Sequence, residues 1–443
     1  MNSTRIIQPK FAVLGAGESG IAAAKLLASE GKAVCVLDTA PAEAVKVRAL
    51  ALEEAGIELR SGENTLQGIE GYSQAILSPG IDPKTPLVRA FRAAGVEVIG
   101  ELEAAFQRCE CPVVAITGTN GKTTTTQLVE ALFNHAGVPT IACGNISPAF
   151  SAKVAESNRL GVMTVEVSSF QLETITTFHP KIAVWLNFAP DHLDRYSTME
   201  EYRNAKLRIF DHVQPNDWAI VNARDVLPEL PCRVIRFSAY ESCSDFELKG
   251  DSICFRGTAV LNLTETNLRG LHNAENLMAA LGVGFAWGID WAVMKDALCA
   301  YCPLPHRCEV VANIDGVSYV NDSKATNLDA LEKALQSETR KVVLIAGGKD
   351  KGFEFGSVTK LVASRCRAAV LIGEMAERIE AMWGSELTCQ RVATLQEAVI
   401  AARAFSSAGD VVLFSPGTSS FDMFKSYADR GNQFRQIVQS LSV

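Results

Sequence analysis

The residues with the clearest chemistry are Gly118, Gly121, Lys122 and Thr123, in the stretch VVAITGTNGKTTTT at 113–126. Glycines let the backbone turn so that several N–H groups converge on one anion. A lysine directly after the turn brings a positive charge to the outer phosphates of a nucleotide, and the adjacent hydroxyl can ligate Mg²⁺ at the start of a helix. The stretch therefore predicts a phosphate-binding loop between a strand, Val113–Ile116, and a helix.

This loop departs from the usual pattern G-x-x-x-x-G-K-[ST]. Counting back from Gly121, the first glycine of that pattern would fall at Ile116, whereas the glycine present is Gly118. The alternative is an ordinary strand–turn–helix junction. Such a junction rarely needs Gly-Lys-Thr directly at the helix start, so nucleotide phosphate binding is favoured.

A second glycine-rich turn, Gly15–Gly20, follows the predicted strand Phe11–Leu14 and has the form G-x-G-x-x-G. The next strand ends in Asp38, at the distance expected of a dinucleotide site. Taken alone this favours NAD or FAD, but a turn of this type can bind any diphosphate at its helix N-terminus. A third strand, Gln74–Leu77, delivers the turn Ser78–Ile81 to the edge where open sheets bind ligands.

Three further polar residues, Glu166, His192 and Lys206, follow predicted elements of the middle of the chain. Glu166 ends the strand Leu160–Glu166, and His192 follows the strand Ile182–Leu186. Both therefore leave strand ends on the edge that carries the phosphate loop, where Glu166 is the better ligand for a hard cation. The alternatives are a strand cap for Glu166, a core or loop histidine for His192, and a solvated helix lysine for Lys206, which lies in the predicted helix from about Met199 to Phe210.

The last part of the chain has three predicted strands that end in polar loops. Ser318–Val320 leads into NDSKATN at 321–327, whose Asn327 is a candidate helix cap. Lys341–Ala346 leads into GGKDKG at 347–352, and Val411–Phe414 leads into SPGTSS at 415–420 and a helix. These loops predict a binding face directed at the middle of the chain.

Composition limits the possible classes of protein. The 443 residues include 48% hydrophobic and 21% charged residues, with a net charge of −8, which is typical of a globular protein without a nucleic-acid-binding surface. The N-terminal residues lack the order of a secretion signal, and the apolar run Met278–Ile289 is too short to cross a bilayer, so a cytoplasmic protein without membrane insertion is expected. The spacing of Cys299, Cys302, His306 and Cys308 lacks the second separated pair of a zinc fingerprint and favours reduced thiols.

These segments, taken in order, resemble the Mur ligases, ATP-dependent enzymes that form amide bonds in peptidoglycan precursor synthesis. The matching motifs are GTNGKT (118–123), EVSSFQLE (166–173), DHLDRY (191–196), YRNAKLRIF (202–210), LHNAENLMAA (271–280), PHR (305–307), NDSKATN (321–327) and SPGTSSFDMFKSYADRG (415–431). The last segment resembles that of the D-glutamate-adding members, whereas the D-N-P-R segment of the diaminopimelate- and lysine-adding members is absent.

The resemblance implies an α/β fold with three domains: a Rossmann-like UDP-sugar-binding domain (1–102), a central ATPase-type domain with the phosphate loop (103–307), and a Rossmann-like amino-acid-binding domain (308–443). Separately from the resemblance, no surplus apolar helix is evident in the sequence, which favours a monomer. UDP-N-acetylmuramoyl-L-alanine and D-glutamate are the implied substrates.

The resemblance also assigns site residues. It places ATP on Gly118, Thr119, Asn120, Gly121, Lys122, Thr123, Thr124, Asn273, Asn276, Arg307 and Asp322. It places the UDP-sugar on Gly17, Ser19, Asp38, Thr39, Ser78, Pro79, Gly80 and Asn145, and the amino acid on Thr326, Lys351, Ser420, Phe421 and Tyr427. It implies two Mg²⁺ ions, one on Thr123 and Glu166 and one on His192 and a carbamoylated Lys206, with Lys122, His192, Lys206 and Arg307 as catalytic residues. Lys349 and Tyr427 stand where the family also has other residues, which leaves the exact amino-acid contacts open.

The implied reaction is a two-step ligation, in which a carboxylate attacks the γ-phosphorus of ATP and an amine then attacks the acyl phosphate. Chemistry of the folylpolyglutamate synthetase type is the alternative within the class, although it does not need the first glycine-rich turn, Gly15–Gly20. An NAD-dependent oxidoreductase and a non-catalytic nucleotide-switched binding module are the alternatives from other classes.

Overall fold

The structure, a computed structural model, describes residues 10–40, 49, 52–192, 195–242, 244–302, 305–338 and 340–441. Over these residues the strands form three separate sheets, which follow one another along the chain. Leu193 and Asp194 of the predicted DHLDRY motif lie outside the described residues. The three sheets agree with the three-domain α/β architecture expected from the sequence.

The first sheet is parallel, with strand order β3-β2-β1-β4-β5. Its strands are β1 (Lys10–Leu14), β2 (Ala33–Asp38), β3 (Glu58–Ser61), β4 (Tyr72–Leu77) and β5 (Glu97–Gly100). The helices of this region are α1 (Glu18–Ser29), α2 (Pro86–Ala93) and α3 (Glu101–Phe106). Gly31 follows the end of helix α1 with a φ of +76°, a conformation that glycine adopts readily after a helix.

The second sheet has nine strands, in the order β14-β13-β12-β11-β10-β9-β6-β8-β7. They are β6 (Val113–Thr117), β7 (Thr140–Gly144), β8 (Val162–Glu166), β9 (Ile182–Trp185), β10 (Trp218–Asn222), β11 (Arg233–Ser238), β12 (Phe246–Lys249), β13 (Ser252–Phe255) and β14 (Thr258–Asn262). The helices are α4 (Lys122–His135), α5 (Phe150–Lys153), α6 (Ser169–Leu172), α7 (Met199–Leu207), α8 (Leu271–Trp287) and α9 (Trp291–Ala300). Strands β6 to β12 pair in parallel and place the phosphate loop at the carboxyl edge, whereas β13 and β14 are antiparallel.

The third sheet has the order β15-β16-β20-β17-β18-β19, with only its edge strand β15 antiparallel. Its strands are β15 (Glu309–Ile314), β16 (Val317–Asn321), β17 (Val342–Gly347), β18 (Cys366–Ile372), β19 (Cys389–Arg391) and β20 (Val411–Phe414). The helices are α10 (Leu328–Ser337), α11 (Thr359–Arg365), α12 (Ala376–Trp383), α13 (Leu395–Phe405) and α14 (Tyr427–Ser440). Short 3₁₀ helices occupy Gly62–Leu66, Ile69–Gly71, Val154–Arg159, Arg208–Phe210, Leu263–Glu265 and Phe355–Val358.

The apolar strands are buried on both faces, as expected of parallel sheets covered by helices. Helix α8 is buried along most of its length between the second sheet and helices α4 and α9, which explains the apolar run seen in its sequence. Within the described ranges, no helix is both long enough and apolar enough to cross a membrane.

Several predicted boundaries are wrong by a few residues. The strand expected from Leu160 begins at Val162, because the 3₁₀ helix Val154–Arg159 precedes it. The helix expected over 199–210 ends at Leu207 and continues as a 3₁₀ turn. The helix after the 415–420 loop begins only at Tyr427, where the Ser426 side chain caps it.

Candidate active site

The phosphate loop joins β6 to α4 and has the backbone shape that its glycines predict. Gly118 and Gly121 have φ values of +155° and +83°. A Cβ at Gly118 would lie 2.9 Å from Cβ of Leu186, and a Cβ at Gly121 would collide with the side chain of Asn276. Both positions therefore need glycine. The Lys122 side-chain nitrogen donates hydrogen bonds to the carbonyl oxygens of Gly118 and Thr119, each at 2.9 Å, and is held at the loop.

Lys206 reaches the same loop from α7 and is buried, with 1% of its surface exposed. Its nitrogen donates to the carbonyl oxygen of Gly118 at 2.8 Å and lies 4.8 Å from the ring centre of Tyr202. Burial, and then the nearby Lys122 charge, hold the pKa of Lys206 well below its usual value. The interpretation of Lys206 as a solvated helix lysine is therefore wrong.

Glu166 ends β8 at the cavity that the loop borders and is 2% exposed. One carboxylate oxygen accepts a hydrogen bond from the Asn145 amide at 2.9 Å. The other oxygen, Oε2, is buried without a hydrogen-bond partner. Thr123 lines the same cavity. An unpartnered buried carboxylate oxygen in a cavity with a threonine hydroxyl fits a hard cation, since Mg²⁺ prefers oxygen ligands.

His192 and Asp191 form the next part of the site. His192 has a φ of +55° and packs against Phe170, with the ring centres 4.7 Å apart. Burial lowers its pKa to about 4, although Asp191 opposes this shift. The imidazole is therefore neutral at neutral pH and can act as a ligand or hydrogen-bond acceptor.

Two residues of the third sheet's loops contact Asp191. The Asn327 amide donates to Asp191 Oδ2 at 3.2 Å, and Lys351 Nζ lies 3.7 Å from Asp191 Oδ1. Asn327 also caps α10, as the sequence predicts, by accepting from the N–H of Ala330. The loops that follow β16 and β17 thus do meet the central sheet, and this interface is part of the site.

Asp322 and Arg307 line the same cavity. One oxygen accepts from the Ser415 hydroxyl at 2.8 Å and the other from the N–H of Cys308 at 3.2 Å. Burial raises the pKa of Asp322 to about 6, against the effects of Ser415 and Arg307.

One cavity of about 220 Å³ between the second and third sheets is lined by most of these residues, but not by Gly118 or Lys206. Its lining contains these predicted residues: Thr119, Asn120, Gly121, Lys122, Thr123, Asn145, Glu166, His192, Asn276, Arg307, Asp322, Thr326 and Lys351. It also contains residues that the sequence argument did not assign: Asn187, Asp191, His272, Glu275, Lys324, Asn327 and Lys333. The H-N-x-x-N spacing of α8 was a usable signal for His272, whereas Asn187 and Lys333 carry no distinguishing pattern.

Other predicted nucleotide-binding residues pack next to the phosphate loop and the start of α4. Thr124 is buried, and its hydroxyl has no hydrogen-bond partner. The Asn276 amide donates to Asn273 Oδ1 at 3.1 Å, and the Thr125 hydroxyl donates to Asn276 Oδ1 at 3.2 Å. Helix α8 is therefore tied to the first turn of α4.

Three of the eight predicted UDP-sugar residues line a second cavity of about 90 Å³, between the first and second sheets. Ser19, Pro79 and Asn145 line it, and Asn145 lines the larger cavity as well. The Asp38 carboxylate does not line this cavity. It accepts hydrogen bonds from the backbone N–H groups of Ala16 and Ala40.

The other four predicted UDP-sugar residues, Gly17, Thr39, Ser78 and Gly80, do not line this cavity. Gly17 precedes α1, and a Cβ built there would lie 3.6 Å from the Ser78 hydroxyl. Ser78 is buried, whereas Thr39 and Gly80 are exposed.

Only some of the residues predicted to bind the amino-acid substrate line the larger cavity. Thr326 and Lys351 line the larger cavity, whereas Ser420, Phe421 and Tyr427 do not. Ser420 is buried, and Phe421 is 68% exposed. The Lys324 nitrogen lies 3.9 Å from the Tyr427 ring centre.

No group of three or more histidine, cysteine, aspartate or glutamate side chains is arranged to hold a metal ion in the part of the chain that the structure describes. A metal at this site would therefore need other oxygen donors beside Glu166, such as Thr123 and the phosphates of a nucleotide. Cys299 and Cys308 are half-buried and Cys302 is exposed, all three as free thiols.

Comparison with known proteins identifies the family of the chain. Three family models match in succession: Mur ligase MurD-like, N-terminal domain, at residues 9–100; Mur ligase middle domain, at residues 116–284; and Mur ligase, glutamate ligase domain, at residues 306–417. A UDP-N-acetylmuramoylalanine–D-glutamate ligase of Geotalea daltonii is 39% identical over 443 residues, which cover 98% of each chain. The chain belongs to the Mur ligase family. The resemblance seen in the motifs is confirmed.

Solved Mur ligases share the fold. The UDP-N-acetylmuramate-alanine ligase of Thermotoga maritima has a TM-score of 0.65 at 19% identity, with 98% of this chain and 99% of that chain covered. The MurF ligase of the same organism, solved in complex with ADP, has a TM-score of 0.58 at 16% identity, with 92% and 95% covered. As a Mur ligase, the protein is an ATP-dependent ligase of peptidoglycan precursor synthesis, which removes the oxidoreductase alternative.

Proposed function

We propose that this Mur ligase adds D-glutamate to UDP-N-acetylmuramoyl-L-alanine in the cytoplasm, with conversion of ATP to ADP and phosphate. The observation that carries the proposal is the larger cavity, where the phosphate loop, Glu166 and Lys351 of the third sheet's loops line one space. The name of the Geotalea daltonii relative supports the choice of substrates.

Each of the three regions has one task in this proposal. The first domain, residues 1–102, holds the UDP-sugar at the smaller cavity, the central domain, 103–307, holds ATP, and the last domain, 308–443, receives D-glutamate. Asn145 supports this division because it lines both cavities, at the boundary where the acid of the sugar substrate has to meet the nucleotide.

Both steps of the reaction concentrate negative charge, and positively charged side chains of the site stabilise it. The substrate carboxylate attacks the γ-phosphorus of ATP and forms an acyl phosphate and ADP. The amine of D-glutamate then attacks the acyl carbon and releases phosphate. Lys122 and Arg307 line the cavity and stabilise this charge through fixed electrostatic interactions.

The proposal includes two Mg²⁺ ions. Thr123 and the unpartnered oxygen of Glu166 would hold one, and neutral His192 with a carbamoylated Lys206 would hold the other. Bound Mg²⁺ supplies neutralisation of phosphate charge and polarisation of the phosphoryl oxygens. Burial lowers the pKa of Lys206 and so favours its neutral amine, which is the form that adds to CO₂. The carbamate that forms with loss of one proton is an anion.

Closure of the last domain completes the amino-acid site in this proposal. Thr326 and Lys351 already line the cavity, whereas Ser420 and Phe421 stand outside it. Movement of the loops around Asp191 and Asn327 would bring Ser420 and Phe421 to the cavity and would exclude water from the acyl phosphate.

The test is a phosphate-release assay with UDP-N-acetylmuramoyl-L-alanine, ATP and a panel of single amino acids. We expect release with D-glutamate and much less with L-glutamate, L-lysine and meso-diaminopimelate. The Lys122→Ala variant is the matched negative control. Release with another amino acid in preference to D-glutamate would overturn the proposal, and release with a folate and L-glutamate would favour the folylpolyglutamate-type alternative.

A further inference from the structure

The imidazole of His192 is contacted from outside the larger cavity by the aromatic ring of Phe170. His192 lines that cavity, whereas Phe170 does not. The two ring centres are 4.7 Å apart, and the ring planes are inclined by 58°. The φ of His192, +55°, lies in a region that residues other than glycine rarely adopt, and such a conformation persists only where the surrounding structure holds it. The direction of the imidazole therefore depends on the side chains packed against it.

The backbone of Phe170 is fixed by the cap of the short helix α6. The Ser168 hydroxyl accepts a hydrogen bond from the N–H of Gln171 at 3.3 Å, and the Gln171 side chain accepts from the N–H of Ser168 at 3.0 Å. Strand β8 ends at Glu166, directly before this cap. The connection that carries Glu166 to the cavity therefore also fixes Phe170.

The ring of Phe170 is covered by Arg195, which an ion pair holds in place. The guanidinium carbon of Arg195 lies 4.1 Å from the Phe170 ring centre. Arg195 Nη2 donates to Glu173 Oε2 at 2.9 Å, and the Tyr196 hydroxyl donates to Glu173 Oε1 at 2.5 Å. The side chains of the ion pair are mostly buried, with 14% of Arg195 and 20% of Glu173 exposed. These contacts restrict the movement of the Phe170 ring.

The residues that hold Phe170 also bind the backbone of His192. The N–H groups of Arg195 and Tyr196 donate to the carbonyl oxygen of His192 at 3.0 and 3.1 Å. The Tyr196 ring packs against Phe170 as well, with the ring centres 5.8 Å apart. Arg195, Tyr196 and Glu173 line a separate cavity of about 240 Å³ and not the larger one. They therefore hold Phe170 and His192 together without lining the space where the reaction takes place.

We propose that Phe170 is a positioning residue that keeps the His192 imidazole directed at the larger cavity, with Arg195 and Glu173 holding Phe170 in place. The inference rests on the proposed function for the role of His192, which is to bind Mg²⁺. Without the Phe170 ring, the imidazole can rotate and must be ordered again each time a metal ion binds. Metal binding and kcat should therefore fall, whereas the KM values for ATP and D-glutamate should stay close to those of the unmodified protein.

The test variant is Phe170→Leu in the full-length protein. Mn²⁺ serves as the probe for the metal site, and free Mn²⁺ is measured by electron paramagnetic resonance at a constant concentration of ADP, without turnover. We expect the dissociation constant for Mn²⁺ and kcat each to worsen about tenfold, as is typical when a residue that orients a metal ligand is replaced. Arg195→Gln, which leaves the Phe170 ring in place, should give a smaller loss in the same direction.

Two further variants separate positioning from packing. Phe170→Tyr keeps the ring and should keep the affinity for Mn²⁺. Phe188→Leu is the matched control, because Phe188 packs against the same aromatic cluster but has its ring contacts with Trp185 and Tyr202. This control should bind Mn²⁺ as the unmodified protein does, even if its melting temperature falls.

The His192→Asn variant shows whether Phe170 acts through His192. Adding Phe170→Leu to His192→Asn should cause no further loss of Mn²⁺ affinity. An additive loss, or a lower melting temperature of Phe170→Leu with unchanged Mn²⁺ affinity, would overturn the proposal.

The proposed function can fail separately from this inference. Unchanged Mn²⁺ affinity in His192→Asn would remove His192 from the metal site, and the positioning role would fall with it. Preference for an amino acid other than D-glutamate would overturn the proposed substrate alone, and a weaker Mn²⁺ affinity of Phe170→Leu would then still support the positioning role.

Discussion

The side-chain nitrogens of Lys122 and Lys206 converge on one acceptor, the carbonyl oxygen of Gly118, at 2.9 and 2.8 Å. Lys206 is buried against this loop and Lys122 is partly buried there, and the charge of Lys122 disfavours a charge on Lys206. A carbamate on Lys206 would replace this repulsion with attraction. This relationship gives a physical reason for the modification that we propose.

Lys206→Ala should therefore lose activity on the order of 10²-fold, as is typical when one charge-stabilising group is removed from an active site. A small carboxylic acid such as formate should restore part of it, because it can occupy the position of the carbamate. Initial rates of phosphate release with and without formate provide the measurement. Lys181→Ala, which removes a half-exposed lysine paired with Asp217, is the control. Full activity in the plain Lys206→Ala variant would contradict the role of this residue.

Glu166→Gln should raise the Mg²⁺ concentration needed for half-maximal activity about tenfold or more, because the unpartnered carboxylate oxygen would become a neutral amide group. In the unmodified enzyme, a chelator should abolish turnover and added Mg²⁺ should restore it. Titration of activity with Mg²⁺ measures both effects. Glu156→Gln, at a partly exposed position where the carboxylate pairs with Lys153, is the matched control. The same Mg²⁺ dependence in both variants would remove Glu166 from the metal site.

Arg430→Lys should raise the KM for D-glutamate more than it lowers kcat. Arg430 is fully buried and donates to the carbonyl oxygens of Ser323 and Thr418 and to the Ser323 hydroxyl, so it ties the loop after β16 to the loop after β20. A lysine cannot make all of these bonds at once. Steady-state kinetics over a range of D-glutamate concentrations provides the measurement.

The control for Arg430 is Arg435→Lys, on the same helix, where the arginine pairs with Glu309 at the surface. This variant should keep the KM. A lower melting temperature of Arg430→Lys with an unchanged KM would show that Arg430 only stabilises the fold.

Stability should respond to pH through Asp322. Its pKa is about 6 in the folded chain and about 3.9 in an unfolded one, so between these values the folded state binds more protons. The stability from this protonation is complete below about pH 4 and is lost as the pH rises through 6, by at most about 3 kcal/mol. The melting temperature of Asp322→Asn relative to the unmodified protein should therefore rise between pH 4 and 6. A constant difference across this range would contradict the pKa of Asp322.

The sequence predicts best those parts of the site that depend on local backbone geometry. The Gly118–Thr123 loop, Glu166 at the end of β8 and Asn327 at the start of α10 could all be placed, because a glycine turn, a buried strand and a cap each have a short-range pattern. Strand β12 and the antiparallel strands β13 and β14 were missed because each has only four or five residues.

The remaining parts of the site depend on contacts between distant elements. The hydrogen bond between Asp191 and Asn327 joins residues 136 positions apart, and no local sequence pattern around either residue predicts it. The burial of Lys206 was missed for a related reason, since α7 is polar overall and only its packing onto the phosphate loop buries this side chain. Long-range packing therefore decides the electrostatics of the site.

The most direct test of the central claim follows the oxygen atoms of the acid. UDP-N-acetylmuramoyl-L-alanine is prepared with oxygen-18 in its alanine carboxylate and is converted with ATP and D-glutamate. Attack of this carboxylate on the γ-phosphorus predicts one labelled oxygen in each phosphate released, as measured by mass spectrometry. Unlabelled phosphate, formed together with the amide product, would contradict the acyl-phosphate route.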